Sequence, residues 1–122
     1  FIYHNRFSTS GGWQDMVNNQ PIALFDRAIA LNGVISQGTH PENQKTYGLK
    51  LSTDNDAEIM LLQPDKAKFL KDSRGSLAGL VLESGYIYYF RNARRPLWTR
   101  KDPSGAQFFA STKDIFKRSG FP

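Results

Sequence analysis

The chain contains no cysteine, which excludes disulfides, cysteine-ligated metals and a cysteine nucleophile within these 122 residues. Histidine is scarce: His4 and His40 are the whole supply, too few and too far apart for a histidine-based metal centre to be expected. No stretch approaches the roughly 18 consecutive apolar residues of a membrane-spanning helix. Internal repeats and low-complexity tracts are also missing, so residues 1–122 read as one domain or part of one, without an internal boundary. Neither a charged leader nor an apolar signal region is seen, and with the lack of cysteine this predicts a cytoplasmic location.

What is present suffices for a packed core: 39% of the residues are hydrophobic and 13% aromatic, which argues against a disordered chain. The net charge of +5 is unevenly spread, with four basic and six acidic residues up to position 63 and twelve basic and five acidic ones after it. The later half therefore carries a cationic surface able to attract anionic partners.

Short apolar runs at 21–24 and 27–31 read as strands, and Asn32-Gly33 between Leu31 and Val34 is a tight-turn signal that predicts a hairpin. Ala57, Met60 and Leu61, then Ala67, Phe69 and Leu70, have helical spacing, with Pro64 splitting them into two short helices. Strand-like runs follow at 77–82, 86–90, 96–99 and 107–110, and Ser111-Thr112 opens a final helix over 113–118, closed by Gly120. The sum is an α+β domain with antiparallel strands.

Singly, the polar positions have ordinary explanations. His4 suits a structural histidine, Arg6 a surface ion pair, Ser8, Thr9 and Ser10 a polar loop, and Asp56 and Glu58 the start of a helix. Their order is more specific. The segments His4-Asn5-Arg6-Phe7-Ser8-Thr9, Asn19-Gln20-Pro21-Ile22, Asn32-Gly33-Val34-Ile35 and Asp56-Ala57-Glu58-Ile59 are followed by Gly75-Ser76-Leu77-Ala78, Arg91 with Arg95-Pro96-Leu97, and Phe109-Ala110-Ser111. In this succession the chain resembles the class II glutamine amidotransferase family over nearly its whole length.

The resemblance implies a four-layer αββα fold of the N-terminal-nucleophile hydrolase type, two stacked antiparallel sheets with flanking helices. It implies hydrolysis of glutamine to glutamate and ammonia, with the ammonia used by a synthetase or transferase domain, and with no cofactor or metal in the hydrolytic step. Arg6 falls at the position that binds the substrate α-carboxylate, a role suited to a planar guanidinium. Asp56 falls at the position contacting the α-ammonium group, with Asp54 and Glu58 as nearby rivals. Ser8 and Thr9, with Ser10, would line the pocket. Asn32 and Gly33 match the oxyanion hole, the asparagine amide and the glycine N–H donating to the oxygen that becomes negative.

Two departures stand out. Leu31 occupies a position where the family commonly has histidine, and the family's cysteine nucleophile, upstream of the His-x-Arg segment, is absent. An internal Ser8 or Thr9 lacks the free α-amino base that would activate it. The expectation is therefore the middle and later portion of a longer domain whose upstream segment carries the nucleophile. Its alternative is a relative without catalysis, acting as a structural or interaction module. A second alternative rests on residues 86–101, where tyrosines, Phe90 and Trp98 alternate with arginines and Lys101 as in strands that stack bases and hold phosphates. Core and outer faces of a sandwich explain the same alternation, and nucleic acid is the weaker expectation.

Overall fold

The computed structural model describes residue 4, residues 11–92 and residues 94–120. Arg6, Ser8, Thr9 and Ser10 lie outside these.

The fold is α+β, with a four-stranded antiparallel sheet, a two-stranded antiparallel sheet and helices. Strands β1 (Ile22–Leu24) and β2 (Arg27–Asn32) form a hairpin, joined in the order β1-β2-β3-β4 by β3 (Ala78–Glu83) and β4 (Tyr86–Arg91). Ser84 and Gly85 both take positive φ, 52° and 78°, the combination that suits a two-residue turn between twisted strands. Strands β5 (Trp98–Lys101) and β6 (Gln107–Ala110) pair separately, and the described residues also form a short 3₁₀ turn (Met16–Asn18) and the helices α1 (His40–Tyr47), α2 (Ala57–Leu61), α3 (Lys66–Asp72) and α4 (Lys113–Arg118). No helix among the described residues is long and apolar enough to cross a membrane.

Register explains where the core lies. Ile22 pairs with Ile29 and Ile29 with Val81, so these residues share one face of the sheet with Leu31 two positions on. Helix α2 covers that face with Ala57, Met60 and Leu61, and Leu77 joins them, all with 2% exposure or less. Each large side chain so buried contributes about 1.5–3 kcal/mol. Glu83 at the end of β3 meets Arg27 at 3.5 Å and Lys66 of α3 at 3.1 Å, which ties the helix to the sheet.

The opposite face has little relief. Ala28, Ala30, Ala78 and Leu80 alternate with the core residues, and beyond Leu80 the register reaches Tyr89, whose ring lies 5.2 Å from that of Phe109 in β6. Gly79 allows its neighbours to close up, since a β-carbon there would stand 2.4 Å from the Ala30 carbonyl oxygen.

Three sequence expectations are corrected. Asn32-Gly33 does not turn a hairpin: Asn32 ends β2 and the chain leaves towards α1, because Ile35 and Ser36 donate their N–H groups to the Asp56 carboxylate and not to a returning strand. Helix α1 was not expected, having almost no apolar face. Its ends are built locally, with Thr39 N–H and Oγ1 both donating to Glu42 Oε2, at 2.7 and 2.8 Å, and Gly48 closing it at φ 64°. Those Thr39 bonds hold the Glu42 carboxyl below its ordinary range. In β4 the alternation of core and outer faces fails: Tyr86, Ile87, Tyr88 and Tyr89 are all exposed and only Phe90 packs on the core, since β4 is the sheet edge farther from α2.

Candidate functional site

A cavity of about 570 Å³ opens beside the small-residue face of the sheet, at the end of β2. Ala30 and Ala78 form its floor, while Phe109, Ser111 and Ile115, from β6 to α4, line another side. Alanines leave room where larger side chains would fill it, and a hollow of this volume accommodates a small polar metabolite.

Asn32 and Gly33 both line this cavity. Among the described residues, the Asn32 side chain and the Gly33 N–H have no hydrogen-bond partner. Two neighbouring donors, one on a side chain and one on the backbone, can stabilise an oxygen acquiring negative charge. The backbone at Gly33 requires glycine: φ is 141°, and a β-carbon would come within 2.4 Å of the Ser76 carbonyl oxygen and 2.9 Å of a Leu77 methyl.

Asp56 does not line the cavity but fixes its approach. It is 3% exposed, and its Oδ2 accepts from Ile35 N–H at 2.5 Å and Ser36 N–H at 3.0 Å, which sets the path of the chain leaving Gly33. Of its rivals, Asp54 is exposed, with its backbone N–H donating to Asn18 Oδ1 at 2.8 Å. Glu58 is wholly buried and accepts from Ser52 N–H at 2.8 Å, Thr53 N–H at 2.7 Å and Thr53 Oγ1 at 2.8 Å. Both carboxylates of the Asp-x-Glu run thus hold loops to the start of α2. Arg6, Ser8 and Thr9 lie outside the described residues, so the expected pairing of Arg6 with Asp56 around one ligand is not on view.

Leu31 turns its side chain into the core with Ile29 and Met60, and its N–H donates to Gln20 Oε1 at 2.5 Å. Gln20, His4 and Arg95 also line the cavity, roles the sequence reading did not assign them. The signal available was their place in the motifs Asn19-Gln20-Pro21-Ile22 and Arg95-Pro96-Leu97. Among the described lining residues Arg95 carries the permanent charge and no carboxylate is present, so the local field favours negative charge. Ser111 supplies a hydroxyl to the lining without a hydrogen bond to a base among the described residues.

Compared with protein-family models, with curated proteins and with solved structures, the chain matches none.

Proposed function

We propose that the chain is the oxyanion-stabilising part of a glutamine-hydrolysing, class II amidotransferase-like domain of the αββα type. The observation that carries the reading is a pair of donors, the Asn32 amide and the Gly33 N–H, without a hydrogen-bond partner among the described residues, at a cavity with a cationic residue and no carboxylate in its described lining. A thiolate from an upstream segment would attack the side-chain amide carbon of glutamine. The carbonyl oxygen would become negative between the two donors, and the amide nitrogen would take up a proton and leave as ammonia. Water would then release glutamate from the thioester. Arg6 and Asp56 are proposed to hold the α-carboxylate and α-ammonium group, with Ser8 and Thr9 at the pocket floor. A synthetase or transferase domain would consume the ammonia.

The test is glutamate release from glutamine by the native polypeptide containing these residues. Removing one oxyanion donor typically costs about 2.7–4 kcal/mol of barrier. Asn32→Ala should therefore lower kcat about 100-fold or more, while Arg6→Ala mainly raises the glutamine KM. Equal activity of both variants and the wild type would defeat the assignment.

A second reading keeps one specific observation. Tyr86, Tyr88, Tyr89 and Trp98 are 68%, 53%, 56% and 44% exposed, with Arg91, Arg94, Arg100 and Lys101 exposed nearby. Binding of single-stranded nucleic acid that weakens steeply with salt would support it. Undetectable binding at low salt would dispose of it.

A further inference from the structure

We propose that Arg95 is a positioning residue for the Gly33 N–H donor and acts through the Ser76 carbonyl; the inference rests on the glutaminase reading above. The space a side chain would take at Gly33 is filled by Ser76 O, 2.4 Å from the would-be β-carbon. Gly33 therefore sits where the 75–77 segment lets it sit. That segment is gripped by the turn after β4. Asn92 Nδ2 donates to Gly75 O, Asn92 Oδ1 accepts from Leu77 N–H at 3.1 Å, and Asn92 N–H donates to Leu77 O at 2.9 Å. Arg95 completes the grip, its Nε–H donating to Ser76 O at 3.2 Å.

Asn32 registers opposite Ala78, so Leu77 and Ser76 continue the facing segment alongside Gly33. Both of their carbonyls receive a donor, Leu77 O from Asn92 and Ser76 O from Arg95, which fixes the segment against which Gly33 is placed. Arg95 also lines the cavity.

The experiment compares Arg95→Ala, Arg95→Lys and Arg94→Ala in the native polypeptide. It reads glutamine kinetics together with the Gly33 amide resonance in ¹H–¹⁵N spectra. Lysine keeps the charge but lacks the Nε–H of the guanidinium, so it separates the bond from the field, and it serves if the alanine variant does not fold. Both Arg95 variants should lower kcat on the order of 10-fold or more, as small misplacements of catalytic groups do. Both should leave KM within about twofold and displace the Gly33 amide resonance. Arg94→Ala, at an exposed neighbour, should change neither. The proposal is overturned by a folded Arg95 variant with an unmoved Gly33 amide, by wild-type kcat in Arg95→Lys, or by a rise in KM with unchanged kcat, which would place Arg95 on the substrate. Should the wild type release no glutamate, the glutaminase reading fails, and the Gly33 amide alone decides whether Arg95 sets that donor.

Discussion

Replacing Glu58 by glutamine alters one buried atom and should unfold the chain far more readily than the change in size suggests. The carboxylate accepts three hydrogen bonds, one at Oε1 from Ser52 N–H and two at Oε2 from Thr53 N–H and Oγ1, and no part of the residue reaches solvent. Glutamine has a single acceptor oxygen. Its better orientation keeps that oxygen on Thr53 and turns the NH₂ group towards Ser52 N–H, donor against donor. The lost bond to a charged group costs about 1.5–3 kcal/mol. The two that survive fall from charge-assisted to neutral, losing roughly half their strength, about 1 kcal/mol each. Together Glu58→Gln should destabilise by about 3–5 kcal/mol, a large share of the 5–15 kcal/mol typical of a domain. Urea unfolding followed by circular dichroism measures it, and the m-value should be unchanged if only stability moves. Thr53→Val, which removes one of the same bonds, should cost less alone and be strongly non-additive with Glu58→Gln. A loss below about 1 kcal/mol with a constant m-value would refute the reasoning, since an unsatisfied donor and two weakened bonds make up the expected penalty.

Two further outcomes concern stability and acid. Gly33→Ala should destabilise by about 2–4 kcal/mol, from an unfavourable backbone and a displaced Ser76 carbonyl. Gly48→Ala, with φ 64° and nothing within 4 Å of its would-be β-carbon, should cost only the 1–2 kcal/mol of a left-handed residue. Equal midpoints in thermal melts would mean the contact at Gly33 is not there. Acid should act on two carboxylates outside the core. Ser104 Oγ and the Ala106 N–H hold the Asp102 carboxyl below its ordinary 3.8, and Thr39 holds that of Glu42 below 4.5. Both are lowered on folding, so their contribution is complete above those ordinary values and is lost as pH falls through the lower folded ones. Carboxyl-carbon NMR titrations should show midpoints under 4.5 for Glu42 and under 3.8 for Asp102, and values at or above these would contradict the hydrogen bonding described.

Much of the architecture was legible where the signal is local. Apolar runs bounded by glycine and proline marked the strands, and Pro64 separated α2 from α3 as it lies between Leu61 and Lys66. Helix α1 escaped because hydrophobic periodicity is silent on a polar helix. The legible cue was the Thr39-x-x-Glu42 spacing with Pro41 in its first turn and Gly48 after its end. Asn32-Gly33 misled as a turn because the groups that prevent a hairpin come from Asp56, 21 residues from Ile35. In the same way the sequence singled out Asn32 and Gly33, yet their meeting with Gln20 and Arg95 in one cavity lining depends on sheet register and long-range packing, which no local pattern encodes.

The start of α2 gathers chain segments that are otherwise irregular: Asp56 holds Ile35 and Ser36, Glu58 holds Ser52 and Thr53, and Asn55 Nδ2 reaches the Asn18 carbonyl at 2.8 Å. Loops ordinarily exchange their amide protons through local opening, well before the core does. Here each opening would uncover a buried carboxylate or amide side chain, so these loop amides should remain protected until the core itself comes apart. The slowest-exchanging unit of the molecule then runs beyond its regular elements, and the wall beside Gly33 shares the cooperativity of the hydrophobic core.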